Sequence, residues 1–125
     1  MSGAVTPPGI GNLLRIEWLA IAVAVLAAYA WSGASWTLFF LLVLVPDLSM
    51  IGYVAGPRVG AISYNIFHVL VWPALLLVAG LVMQQGLLVD LAAIWTAHIA
   101  VDRALGYGLK LPGGFGETHL GRIGR

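Results

Sequence analysis

"PRVGAISYNIFHVLVWPALLLVAGLVM" fills residues 57–83 and contains no Asp, Glu, Lys or Arg after Arg58. A helix rises about 1.5 Å per residue, so roughly 20 apolar residues cross the hydrocarbon core of a bilayer. This run is long enough to do so. Near its start, however, it carries Tyr64, Asn65 and His68, groups that a crossing helix does not need.

Three more runs of similar length flank it. The spans expected are about 13–31, 35–54, 57–83 and 87–108, with 109–125 as a tail. Of the 125 residues, 61% are hydrophobic and 9% charged, and the mean hydropathy is +0.98. A soluble domain carries about a quarter charged residues, so a water-facing surface cannot be built from this chain. The length suits one domain. The expectation is an all-α fold: a four-helix transmembrane bundle, integral to the membrane, with short turns ("WSGAS", "AGPRVG", "MQQG") making neighbouring helices antiparallel. Asn12 is the expected N-cap of the first helix. The first span is too long and too poorly flanked for a signal peptide. Pro46 should kink the second span.

The composition also excludes functions. A net charge of +1 offers no basic stripe for nucleic acid. Without cysteine there is no disulfide framework, thiolate metal cage or cysteine nucleophile. Membrane lipid is the partner the composition implies, and a homo-oligomer or a larger membrane complex is compatible with it. Arg15, Arg58, Arg103, Lys110, Arg122 and Arg125 all fall at the start of span one, between spans two and three, or after span four. The positive-inside rule then puts both termini in the cytoplasm, in a multi-pass protein of the inner (cytoplasmic) membrane.

With that orientation, Glu17, Asp47, His68, His98 and Asp102 come to the cytoplasmic half, and only Asp90 lies toward the far side. His98 and Asp102 are four apart and share a helix face, as do Tyr64 or Asn65 with His68. Trp72 and Trp95 continue those faces and should close the deep end of a shared cavity. Ionisable groups at membrane depth turn inward, to pair or to bind something. Pairing would match Glu17, Asp47 and Asp102 with Arg15, Arg58 and Arg103. Binding would make Asp47, His68, His98 and Asp102 ligands of a divalent ion, zinc or similar, with Asn65 and Tyr64 supporting them. Glu17 is the candidate general base. Two histidines on adjacent spans could alternatively hold a haem in a redox subunit, and an accessory or structural bundle is the non-enzymatic reading. Tyr53, Tyr107 and Lys110 are expected interface anchors, Asp90 a polar cap or hydrogen-bond partner, and His119 a solvated tail residue.

"LLRIEWLA" (13–20), "VPDLSMIGYVAGPRVGAISYNIFH" (45–68), "WTAHIAVDRALGYGLK" (95–110) and "THLGRIG" (118–124) together resemble the bacterial integral membrane family called domain of unknown function 4260. The resemblance implies a four-helix membrane protein and marks Glu17, Asp47, Asn65, His68, His98, Asp102 and the tail around His119 as motif positions. A narrower likeness, in the Pro46-Asp47 pair, His68 and the His-x-x-x-Asp of residues 98–102, is to small membrane proteins that are metal-dependent hydrolases. It lacks their further His-Ser or Asp-x-Asp-His elements. The position of these residues near the cytoplasmic headgroups would suit a lipid or isoprenoid-phosphate substrate.

Overall fold

Pro8 opens the first helix, α1 (Pro8–Trp31); a first-turn proline forgoes only an N–H that has no intrahelical partner. The helix therefore starts a turn earlier than expected, and Asn12 is exposed within it rather than capping it. The computed structural model describes residues 8–107, 109, 117, 118, 121 and 122. After a turn at Gly33 (φ 75°), Ser35 caps α2 (Trp36–Leu42) by accepting the Leu38 N–H at 3.1 Å. A 3-10 helix, Val45–Ala55, follows, then α3 (Pro57–Phe67), α4 (Val71–Val82) and α5 (Gly86–Ala104). Two-residue strands β1 (Glu117–Thr118) and β2 (Gly121–Arg122) pair antiparallel in the tail.

Three stretches are long and apolar enough to cross a membrane: Gly9–Trp31, Trp36–Ala55 and Pro57–Val82. Two of them are broken, where a helix kinked at Pro46 was expected over 35–54 and a continuous one over 57–83. Proline explains both breaks. Pro46 has no N–H for the Leu42 carbonyl, and the backbone tightens there from α-helix to 3-10. Pro73 likewise denies the Val69 carbonyl a donor and crowds it, so α3 stops at Phe67 and α4 restarts with Pro73 in its first turn. Serine hydroxyls add hydrogen bonds inside the 3-10 helix and from α3 to it: Ser49 donates to the Pro46 carbonyl at 2.7 Å, and Ser63 donates to the Ser49 carbonyl at 2.8 Å.

Neighbouring segments run antiparallel, as their contacts record. Arg15 meets Ala104 and Trp18 meets Arg103, while Tyr29 packs with Ile94. Across the 3-10 helix and α3, a Cβ on Gly52 would lie 2.7 Å from Ser63 Cβ, and one on Gly60 would lie 2.2 Å from the Tyr53 ring. Gly80 of α4 is equally tight against Val89 of α5, at 2.9 Å. Small residues matter here because lipid gives helices no hydrophobic reason to associate, and close backbone approach replaces it. Tyr53, expected as an interface anchor, instead fills the space Gly60 leaves. The central element is α5, where Ala92, Ile94, Ala97, His98, Ile99 and Ala100 are all buried. It carries Asp90, Asp102 and Arg103 and is flanked by α1 and α4.

Candidate metal centre

One turn of α5 carries His98 and Asp102 on the same face, and their side chains meet, Nε2 to Oδ2, at 3.2 Å. The two helix breaks supply the rest. Asp47 follows Pro46 at the start of the 3-10 helix, and His68 is the residue on which α3 ends. Asp47 Oδ1 lies 2.9 Å from His98 Nε2 and 3.3 Å from His68 Nε2. The two imidazole Nε2 atoms are 3.1 Å apart, and His68 Nε2 is 3.6 Å from Asp102 Oδ2. One ligand atom from each of the four lies within 4.8 Å of every other.

The chemistry of that convergence follows from the far side of the His68 ring. Its Nδ1 is 2.7 Å from the Tyr64 carbonyl, which can only accept, so Nδ1 carries the proton and a neutral ring presents a bare lone pair at Nε2. Facing that lone pair are a second imidazole nitrogen and two carboxylate oxygens. A single proton can bridge one of these pairs and leaves the other acceptors opposed. A divalent cation satisfies all four, and its charge cancels that of two carboxylates. Ligands about 2.0–2.1 Å from a tetrahedral zinc are roughly 3.3–3.4 Å from one another, and the five distances that involve a histidine run from 2.9 to 3.6 Å. The group could hold a metal ion.

Access is one-sided. The imidazole side chains are 3% exposed and the carboxylates of Asp47 and Asp102 are 29% and 20% exposed, so the cluster opens on its carboxylate side.

The supporting contacts are as specific. Tyr64 stacks on the His68 ring at 3.7 Å and 7° between planes, and its hydroxyl donates to Asp102 Oδ2 at 3.3 Å. Asn65 is half-buried, and its carbonyl accepts the His68 N–H at 3.1 Å. The break after His68 also leaves carbonyls that no helical N–H can reach. Two side chains of α5 take them: Trp95 Nε1 donates to the Phe67 carbonyl at 2.8 Å and Arg103 Nη2 to the His68 carbonyl at 3.0 Å. Arg103 also lies over the Trp18 ring, 4.4 Å from its centroid. It does point away from the ligand atoms, as the step of about 100° per residue requires, yet it grips the backbone of a ligand. Sequence reasoning missed this role of Arg103 and Trp95. The available signal was Pro73, which dictates orphan carbonyls just upstream.

Of the residues expected at a shared site, the structure brings together Asp47, His68, His98 and Asp102, with Tyr64 against two of them. Glu17 stands apart, exposed on α1 and outside the converging group. Trp72 is exposed on α4 rather than closing a cavity, whereas Trp95 does line one. Arg15 donates to the Ala104 carbonyl at 3.0 Å. Lys110 and His119 lie outside the described residues. The haem alternative meets a geometric obstacle. Axial imidazoles flank the iron from opposite sides, so their nitrogens stand about two metal–nitrogen bonds, roughly 4 Å, apart. At 3.1 Å, with a carboxylate oxygen within 3.6 Å of each nitrogen, the spacing is closer to that of a small cation's ligands than to that of two axial imidazoles.

Fold and site together define a mainly helical protein with segments long and apolar enough to cross a membrane and a two-histidine, two-aspartate cluster at its helix breaks. Residues 11–123 match the family described as Domain of unknown function (DUF4260), and the chain belongs to that family. No curated protein and no solved structure matches it.

Proposed function

We propose that Asp47, His68, His98 and Asp102 bind one divalent metal ion, zinc or a similar ion, and that the protein is a metal-dependent membrane hydrolase acting on a lipid-like substrate. The observation that carries the metal reading is the convergence of two imidazole nitrogens and two carboxylate oxygens within 4.8 Å of one another, with both Nε2 atoms 3.1 Å apart and Asp47 2.9 Å from His98. A divalent ion held there supplies Lewis acidity. The chain's own residues do the remainder. Tyr64 orients His68 by stacking and Asp102 by hydrogen bonding. The partly exposed carboxylate side leaves room for a polar headgroup, and the buried imidazole side keeps bulk water out. Glu17, exposed on α1, is no longer placed to act as the general base.

The site lies near the cytoplasmic face of the inner membrane, in a four-pass topology with both termini in the cytoplasm. The one-sided cations support this orientation. Reporter fusions at Gly33, Gly86 and the C-terminus test it, and an active periplasmic reporter at the C-terminus overturns it.

Elemental analysis of the detergent-purified protein, followed by hydrolysis assays on phospholipid and isoprenoid-phosphate substrates with and without a chelator, tests the rest. The expected result is about one divalent ion per chain and hydrolysis that the chelator removes and added metal restores. A folded, metal-free protein that takes up no zinc, cobalt or manganese overturns the metal reading. It would leave a structural or accessory membrane subunit in its place.

A further inference from the structure

A cavity of about 560 Å³ lies between the 3-10 helix, α3, α4 and α5, within the roughly 300–1,000 Å³ typical of small-molecule sites. It is built from the same turns that hold the cluster. Pro46 in its wall precedes Asp47, Phe67 precedes His68, and Ile94 is one turn before His98. Its wall has hydroxyls only at Ser49 and Ser63, and both are spent on backbone carbonyls. The rest of its wall is overwhelmingly apolar, with little to recognise a headgroup, a sugar or a peptide. Val45, Leu48 and Phe67 form its exposed rim, and all three belong to stretches long and apolar enough to lie in a membrane. With those stretches in a bilayer, the rim would face lipid hydrocarbon.

We infer that this cavity receives one acyl chain of a membrane phospholipid, entering sideways past Val45, Leu48 and Phe67, and so presents the lipid's polar part to the Asp47–His68–His98–Asp102 cluster. This deepens the proposed function and rests on it for calling the lipid a substrate. The chain-binding step stands on the cavity alone. Affinity then comes from burial of hydrocarbon against Leu42, Leu76 and Leu91, and chain length and branching, rather than the headgroup, set what the cavity admits.

The test is photolabelling of the full chain in detergent, stripped of metal with EDTA, using one equivalent of a phosphatidylcholine with a diazirine near the end of one acyl chain. The label is expected on Leu42, Leu76, Leu91 or Trp95, in preference to the exposed α1 residues Leu19 and Val23, and an excess of unlabelled phosphatidylcholine should remove it. Filling the cavity with Leu91→Trp or, from the opposite wall, Leu76→Trp should cut that labelling by about 5- to 150-fold. Leu19→Trp should leave it unchanged. Labelling that simply follows exposure, or that survives both fillings in helical protein, overturns the inference. Should neither filled variant fold, the wild-type pattern and its competition decide the matter. Labelled cavity residues in a protein that binds no ion sink the metal reading and keep this one, and metal uptake without cavity labelling does the reverse.

Discussion

The two halves of α5 solve opposite problems. Around Ile94 and Ala97 the helix packs against Tyr29 and Phe39 in an apolar cluster. There the Tyr29 ring lies edge-on to Trp36 at 5.0 Å and tilted to Phe39 at 5.3 Å, and its hydroxyl is satisfied by the Ser35 carbonyl. That region is complete. One turn on, His98 and Asp102 meet Asp47 and His68 at the broken ends of two other helices, and four potential ligand atoms converge. Aromatic edges and faces complement each other, whereas opposed lone pairs need a cation or protons between them. Adjacent stretches of one helix therefore separate a structural role from a binding role.

Removing a ligand attacks that contrast most directly. His98→Ala should weaken metal binding by more than about 100-fold, since changes to supporting residues already cost about 10- to 100-fold, while metal-free melting should shift far less. Equal metal content in the variant, measured by elemental analysis, would erase the distinction between the two halves. Next comes Arg103→Ala, which strands the His68 carbonyl. Losing a hydrogen bond from a charged donor costs about 1.5–3 kcal/mol, so thermal melting of the metal-free protein should fall and metal affinity should follow it. A variant that melts like wild type would mean the helix break holds itself.

Tyr64→Phe isolates a single hydroxyl. The ring stack on His68 stays and the bond to Asp102 goes, so metal affinity should drop about 10- to 100-fold with helicity intact by circular dichroism. Melting loss without any change in affinity would make Tyr64 a packing residue. At the apolar half, Tyr29→Phe removes a neutral hydrogen bond worth about 0.5–1.5 kcal/mol. Melting should fall slightly and metal titration should be unchanged. Any effect of Tyr29→Phe on metal affinity would show that the two halves are coupled.

How much was legible differs residue by residue. The i, i+4 spacing placed His98 with Asp102 and Tyr64 with His68, because helix geometry alone aligns them. The span lengths came from apolar runs, as the hydrocarbon thickness dictates. The breaks were read only in part. Pro46 was expected to kink its helix, but Pro73 was not recognised as ending α3 six residues upstream, so Arg103 and Trp95 had no visible purpose. Glu17 sat at the right depth in the sequence, yet depth says nothing of which way a helix turns its residues, and α1 turns Glu17 outward.

Composition and periodicity by themselves determined a membrane-embedded, all-helical chain and the faces on which its polar residues ride, because both depend on local spacing and on the solvent. That Asp47 and His68, 21 residues apart, come within 3.3 Å of each other while His98 joins them from a third element was decided only by tertiary structure. Those distances depend on how closely Gly52, Gly60 and Gly80 let the helices approach and on where two prolines interrupt them, and helix packing sums such contacts across segments that local spacing does not connect.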